Sequence, residues 1–358
     1  MKTALYDLHK ELGATFTNFM GYEMPLKYTS INEEHLNVRH KVGIFDVSHM
    51  GKIFVKSDAN KISNLIVGNA KKIKEGGGEY TLILNENGDI IDDEVYFHLK
   101  DGFLFIPNSG MHEKIMEWFK NHGVEAIDKT NEYSILAIQG KNSPDVMNEL
   151  TYFDCSTLKF FDCSEIGDKM KIDVNARIIV SRSGYTGEKG YELYVHPAKE
   201  AIKIFKYALE KGKKYGIMPV GLGARDSLRL EKCFMLAGNE FEGGRNPFEV
   251  GLEWTIDWNH DFIGKDVLIK LNDKIEEKLS FLECIEKGIP RHGNNVFKDG
   301  KKIGIVSSGG FSPCLKKGIA MAFLKKEYIE IGNEIEIMGR RSIKARIIKP
   351  PFVKKGEC

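Results

Sequence analysis

Between residues 52 and 108 apolar and polar positions alternate in short runs, at 53–55, 80–84, 90–99 and 103–106, broken by Asn87-Gly88 and Asp101-Gly102. Alternation with period two, interrupted by Asn-Gly or Asp-Gly, predicts β-hairpins, because these pairs accept the positive φ angles of tight turns. The spacing then lengthens: Met111, Ile115, Trp118 and Phe119 recur as on one helical face, and Gly123 follows as a stop. A second block repeats the scheme, with strands at 134–138, 177–181 and 191–195, a helix starting at Pro197 that carries Ile202, Phe205 and Leu209, and another helix after Gly223. Pro107 cannot donate to a ladder, so its strand should be bulged there or lie at an edge. From about residue 271 the pattern changes to short strands with glycine-rich joints, including 302–307, 319–323 and 343–348, as in a small all-β domain. Residues 1–13 read as a short amphipathic helix. The expected class is α+β, built from two α+β layers followed by a β domain, with a first region over 1–270 and a second over 271–358.

Composition adds exclusions. The 358 residues are 42% hydrophobic and 29% charged, enough for more than one core. Lys plus Arg number 52 against 51 for Asp plus Glu, so no global field favours nucleic acid or an anionic membrane, and an anionic ligand needs a local site. No run reaches the roughly 18 apolar residues of a membrane span, and the first residues lack the apolar stretch of a signal peptide, so a cytoplasmic protein is expected. The six cysteines (Cys155, Cys163, Cys233, Cys284, Cys314, Cys358) form no C-x-x-C pair. That argues against a zinc site or a disulfide framework; reduced, mostly buried thiols and no metal are the expectation.

Three segments could carry chemistry. If residues 89–99 form a strand, Ile91, Asp93, Val95, Phe97 and Leu99 share one face, and Asp93 is the lone carboxylate on it. A charge there is costly unless paired or shifted, so Asp93 is either a structural ion-pair partner or a functional acid. Its neighbour Asp92, among polar groups on the other face, is expected to be a solvated surface residue. In residues 181–192 three glycines within seven residues suggest a turn with close backbone approach, but the Lys-Ser/Thr ending of a phosphate loop is missing. A hairpin accounts for it better. Glu192, at the head of the next strand, is either an exposed strand glutamate or an acceptor for paired N–H donors of a planar heterocycle. In residues 221–231, Gly221 and Gly223 precede a helix whose first turn holds Arg225, which either pairs with Asp226 or Glu231 on a solvated face or faces an anion.

Read with Phe19-Met20-Gly21-Tyr22-Glu23-Met24-Pro25, Gly43-Ile44-Phe45-Asp46-Val47-Ser48-His49-Met50-Gly51, Asn246-Pro247-Phe248-Glu249-Val250-Gly251-Leu252-Glu253-Trp254, Gly288-Ile289-Pro290-Arg291-His292-Gly293 and Ser308-Gly309-Gly310-Phe311-Ser312-Pro313, these segments resemble the aminomethyltransferases, the T-proteins of the glycine cleavage system. The resemblance runs to Lys349-Pro350-Pro351-Phe352-Val353 and so spans essentially the whole chain. It implies three domains around a central cavity, with a C-terminal β-barrel. It also implies transfer of a methylene carbon from the aminomethyl-loaded lipoyl arm of H-protein to tetrahydrofolate, with release of ammonia. Asp93 matches the family's catalytic aspartate, Glu192 its pterin-binding glutamate and Arg225 its folate-site arginine, while Met50, Leu84, Asn108, Tyr185 and Trp254 match positions lining the folate pocket or near it.

Some positions depart from the family pattern: Asn18 for aspartate, Tyr22 for tryptophan, Asp89 for glycine, Phe97 for tyrosine and Met111 for asparagine. Residues 354–358 lack an aromatic that some relatives carry. The rival readings are a related tetrahydrofolate-dependent demethylase, which shares the fold and needs no carrier, and a non-catalytic folate-binding protein of iron-sulfur assembly. The latter carries a reactive cysteine in a short motif that this chain lacks.

Overall fold

The computed structural model describes residues 1–271 and 274–358, which divide into two compact units. The first comprises Met1–Thr81 and Asp93–Arg225; the second comprises Leu82–Asp92 and Asp226–Cys358.

The first unit is layered as the alternation of strand and helix signals requires. A six-stranded sheet runs in the order Cys163–Glu165, Arg177–Ser181, Gly190–His196, Ser134–Gln139, Val42–Asp46, Ile217–Pro219. Its neighbours are antiparallel except the last pair. One face buries Ile44, Leu136, Ile138, Val180 and Leu193 against Ile204, Phe205 and Ala208 of the helix Ala201–Gly212 and against Val146, Met147 and Leu150 of the helix Ser143–Leu150. The expected helix start at Pro197 moves to Ala201, after a 3-10 turn at Ala198–Glu200, and its fully buried face is Ile204, Phe205 and Ala208, with Ile202 and Leu209 at the margin.

A five-stranded sheet has the order Gly78–Leu84, Ile90–Leu99, Gly102–Ile106, Ile53–Val55, Ala126–Asp128, and its 82–92 hairpin tip groups with the second unit. The Asn87-Gly88 turn forms as expected, with Gly88 at φ +81° and Asn85 Oδ1 accepting the N–H groups of Asn87 and Asp89 at 2.9 Å each. The strand Gly102–Ile106 ends before Pro107, so the proline bulges nothing. The helix His112–Asn121 buries Ile115 and Phe119 completely and is closed by Gly123 at φ +68°.

One polar network lies inside this unit. Asp46 is buried, with Oδ2 3.0 Å from His9 Nε2 and accepting the Thr3 hydroxyl at 2.7 Å, while Oδ1 accepts the Ser48 N–H at 2.9 Å. The other ring nitrogen of His9 lies 2.8 Å from the Tyr28 hydroxyl. Burial pushes the Asp46 carboxyl up, but His9, Ser48 and Thr3 outweigh it and bring it down to about 2.

In the second unit the strands Glu277–Cys284, Lys317–Lys325, Lys301–Ser312, Asn295–Lys298, Glu334–Met338 and Ser342–Ile348 close into a barrel, the last pairing back to the first. Its interior is filled by Leu282, Val296, Ile303, Val306, Ala322, Leu324, Ile337 and Ala345. Closure leaves no open edge, which short alternating strands would otherwise expose.

Two further expectations fail. Asp92 is not a solvated surface residue: it is 0% exposed, and Glu94 on the same face is 1% exposed, whereas Ile91, Asp93 and Val95 on the other face are half-buried. Polar periodicity here marks a polar interior, in which Tyr96 donates to Glu79 Oε2 at 2.9 Å, and not a wet face. The cysteines are not all free thiols either, because Cys314 and Cys358 are joined in a disulfide. Nothing in a separation of 44 residues announces that pairing.

Replacing Asp46 with Ala is expected to cost about 3–5 kcal/mol in urea unfolding, because His9 and Thr3 lose a buried acceptor. Since the folded carboxyl lies below its unfolded value, its contribution is present above about pH 4 and is lost as pH falls through about 2. An unfolding midpoint unchanged by Asp46→Ala would refute the network's role.

Candidate active site

The strand Ile90–Leu99 presents Asp93 on its half-buried face, and two side chains hold it there. The Tyr80 hydroxyl donates to Asp93 Oδ2 at 2.7 Å, from the adjacent strand Gly78–Leu84. Asn108 Nδ2 donates to Asp93 Oδ1 at 2.7 Å and to the Asp93 carbonyl at 2.9 Å, from just beyond the strand Gly102–Ile106. Each carboxylate oxygen therefore accepts from a neutral donor, which orients the group. Tyr80 was not singled out from sequence; only its place at the head of an apolar run next to the Asp93 strand could have suggested it.

The second carboxylate is built similarly. Glu192 pairs with Ser181 and Ala137 across its sheet. Its Oε2 accepts the Ser183 hydroxyl at 2.5 Å and the Tyr194 hydroxyl at 3.0 Å. Burial, then the Glu192 charge, pushes the Tyr194 phenol well above its ordinary value, so it remains a donor. Both bonds land on one oxygen, and among the described residues none donates to Oε1. Tyr194 was legible in principle, since it stands two residues from Glu192 on the same strand face.

The loop that carries Ser183 is fixed from several sides. Gln139 Nε2 donates to the Ser183 carbonyl at 3.1 Å, Thr186 Oγ1 donates to Gln139 Oε1 at 2.9 Å, and Arg39 donates to the Thr186 carbonyl at 2.6 Å and to Glu188 at 2.9 Å. The glycines of this loop serve that packing: a Cβ on Gly184 or Gly190 would lie 2.0 or 2.2 Å from the Gln139 side chain. Gly221 similarly abuts the Leu26 carbonyl, at 2.3 Å from an added Cβ. The close approaches expected of these glycines are thus met by the chain itself.

Arg225, in the first turn of the helix Leu222–Glu231, stacks its guanidinium 4.7 Å from the centre of the Tyr185 ring. Burial pushes its pKa down, and the charge of Glu192 opposes that. Neither Asp226 nor Glu231 takes it in an ion pair: Asp226 bonds Arg229 at 2.8 Å, and Glu231 accepts from Ser312 and Cys314. Among the described residues, none accepts a hydrogen bond from the Arg225 guanidinium. The two carboxylate clusters are linked by aromatic packing, because Phe97, four residues along the strand from Asp93, meets Tyr194 edge-on with centroids 5.6 Å apart.

The remaining expected residues fall in both units. Met50 is half-buried in the turn that begins at Val47, its N–H donating to the Val47 carbonyl at 3.1 Å. Leu84 and Trp254 belong to the second unit, where Leu84 is 1% exposed and Trp254 67% exposed.

Two buried bases beside Met50 escaped the sequence reading. His49 is packed edge-on against Phe19 with no partner for Nδ1 among the described residues, and burial first, then the Arg225 charge, pushes its pKa down to about 3. Lys52 is 0% exposed, donates to the Ser48 carbonyl at 2.8 Å, and is pushed down to about 7 by burial, with Asp46 and Asp128 opposing. His49 falls in a motif already noted and Lys52 directly follows it, but nothing in the motif itself signals their depth.

Comparison with known proteins gives the class to which this α+β body and closed barrel belong. Residues 5–260 match the GCVT N-terminal domain and residues 278–354 match the glycine cleavage T-protein C-terminal barrel domain. An aminomethyltransferase of Thermoanaerobacter pseudethanolicus is 42% identical, covering 99% of this chain and 98% of the relative. One from Halothermothrix orenii is 38% identical, covering 98% of this chain and 99% of the relative. The crystal structure of glycine cleavage system aminomethyltransferase T from Bartonella henselae superposes with a TM-score of 0.90 at 29% identity, covering 99% of this chain and 98% of that one. The chain belongs to the glycine cleavage T-protein family of aminomethyltransferases. No helix among the described residues is long and apolar enough to cross a membrane.

The buried amine gives a measurable signature. Unfolded Lys52 keeps its proton to about pH 10.4, whereas the folded protein releases it near 7. Between those values the unfolded chain binds the extra proton, so stability rises with pH across that window. Lys52→Met removes this rise. The variant should be more stable than the parent at pH 7 by on the order of 2–3 kcal/mol, net of the lost Ser48 hydrogen bond, and the gain should vanish near pH 10. Parallel pH profiles of parent and variant in urea unfolding would show that Lys52 is not buried as described.

Proposed function

We propose that this chain is the aminomethyltransferase of the glycine cleavage system, moving the methylene carbon of aminomethyl-dihydrolipoyl H-protein to tetrahydrofolate with release of ammonia. The observation that carries the reading is Asp93, a carboxylate whose two oxygens are each held at 2.7 Å by the neutral donors Tyr80 and Asn108. Tetrahydrofolate, as the acceptor substrate, supplies two nucleophilic nitrogens that take up the carbon as a methylene bridge. As ammonia leaves the aminomethyl sulfide, positive charge develops on nitrogen and carbon. The preoriented Asp93 charge stabilises that state and can take up or return a proton, and little reorganisation is needed because Tyr80 and Asn108 already hold it.

The second cluster fits the acceptor. With Oε2 of Glu192 occupied by Ser183 and Tyr194, Oε1 is the oxygen left to accept an N–H donor of a pterin ring. The Arg225 guanidinium, stacked on Tyr185, offers planar donors to an anionic or carbonyl group. By family position we assign Met50, Asn108 and Tyr185 of the first unit to the folate site or its surroundings; Leu84 and Trp254 of the second unit match further family positions, with a folate-binding region proposed over residues 1–270 and a barrel domain over 271–358. No metal is required by this chemistry.

Asp93→Asn is expected to fold and to bind tetrahydrofolate near normally while losing about 10²–10³-fold in turnover. Ammonia release from aminomethyl-loaded lipoylated H-protein, measured with and without tetrahydrofolate, reads this directly; near-normal turnover removes Asp93 from the mechanism. Glu192→Gln should weaken tetrahydrofolate binding by about 10–100-fold through loss of a charge-assisted hydrogen bond. Demethylation of a small methylated amine without H-protein would favour the demethylase reading instead.

A further inference from the structure

Four cysteines, Cys155, Cys163, Cys233 and Cys284, are free, and burial pushes each of their thiols up to about 12. At neutral pH they offer almost no thiolate, so they neither attack nor scramble a neighbouring disulfide. Cys314 and Cys358 are different: they are bonded, with Cα atoms 5.0 Å apart, well inside the range a disulfide spans.

A single residue organises both partners. Glu231, wholly buried at the end of the helix Leu222–Glu231, accepts the Ser312 hydroxyl at 2.5 Å and the Cys314 N–H at 3.2 Å through its carboxylate. That fixes the turn between the barrel strands Lys301–Ser312 and Lys317–Lys325, where Leu315 N–H also returns to Ser312 Oγ at 3.1 Å. The Glu231 carbonyl accepts the Val353 N–H at 3.2 Å, and Lys232 Nζ donates to the Val353 carbonyl at 2.8 Å, which fixes the start of the tail. Phe352 and Val353 are buried, Phe352 packing edge-on against Phe281, whereas residues 354–358 are exposed. The two cysteines are thus presented to each other by one helix end, through its side chain on one segment and its backbone on the other.

We propose that Cys314–Cys358 is a reversible covalent tether that locks the C-terminal tail onto the end of the helix carrying Arg225, and that dithiols are the class of reductant that opens it. Opening begins with a thiolate attacking one sulfur of the bond, forming a mixed disulfide and releasing the other cysteine as a thiol. The reductant's second thiol then displaces the protein sulfur, leaving the reductant as a cyclic disulfide and both cysteines reduced, a balanced two-electron exchange. A monothiol lacks that second group. Because Glu231 holds the Cys314 backbone and the start of the tail in place, the mixed disulfide with a monothiol tends to close back.

Protein equilibrated with oxidised glutathione, then denatured and alkylated with iodoacetamide, should carry four modified cysteines and a linked Cys314–Cys358 peptide by mass spectrometry; dithiothreitol should raise the count to six. On reduction, amide hydrogen exchange at Cys314 and Val353 should quicken by about ten-fold or more, and the melting temperature should fall by about 5 °C. Cys358→Ser, altered only in the exposed tail, should show the fast exchange and the lower melting temperature with or without dithiothreitol. Six alkylated cysteines under oxidised glutathione, or a different linked pair, would overturn the assignment. Unchanged exchange at both amides on reduction would overturn the tethering. None of these readouts depends on the transfer reaction, so they stand or fall apart from the proposed function.

Discussion

A carboxylate drawn away from bulk water needs donors, and at two carboxylates of this protein neutral side chains supply them. Tyr80 and Asn108 hold Asp93, and Ser183 and Tyr194 hold Glu192. Hydroxyls and amides supply hydrogen bonds without adding a full opposite charge, so they orient each carboxylate. Much of the surrounding structure serves this arrangement. The strand register sets Asp93 beside Tyr80, and the Arg39, Thr186 and Gln139 bonds hold the loop that delivers Ser183. Phe97 packs the strand of Asp93 against Tyr194.

Beneath that layer lies a second kind of polar interior, made of full charges and bases. Asp46 is matched to His9 and Thr3, while Lys52 and His49 are buried with few partners and pushed toward their neutral forms. A neutral His49 avoids adding positive charge beside Arg225, whose own charge is already opposed by burial. The short turn from Val47 to Lys52 therefore combines a backbone role, the Lys52 bond to the Ser48 carbonyl, with control of the local field.

Sequence periodicity carried a good deal of this. The Asn87-Gly88 hairpin, the Gly123 helix stop and the terminal barrel strands were readable because turn chemistry and apolar spacing are local signals. So was Asp93, as a carboxylate out of place on an apolar face. Asp92 was misread for a physical reason: alternation says which residues share a face, not which face meets water, and this sheet buries its charged side. Tyr80, Ser183 and the depth of Lys52 depend on strand neighbours and layers that no local pattern encodes. The Cys314–Cys358 bond is of the same kind, made by a helix end that gathers two distant segments.

The fit of Gly184 and Gly190 against Gln139 bears on how maps of mutational tolerance should be read in this family. A scan would score both glycines as intolerant as the carboxylates, and a reader equating intolerance with ligand contact would draw the pocket too large. Here the three atoms nearest an added Cβ at either glycine all belong to an internal glutamine, so crowding inside the scaffold is enough to make both positions strict.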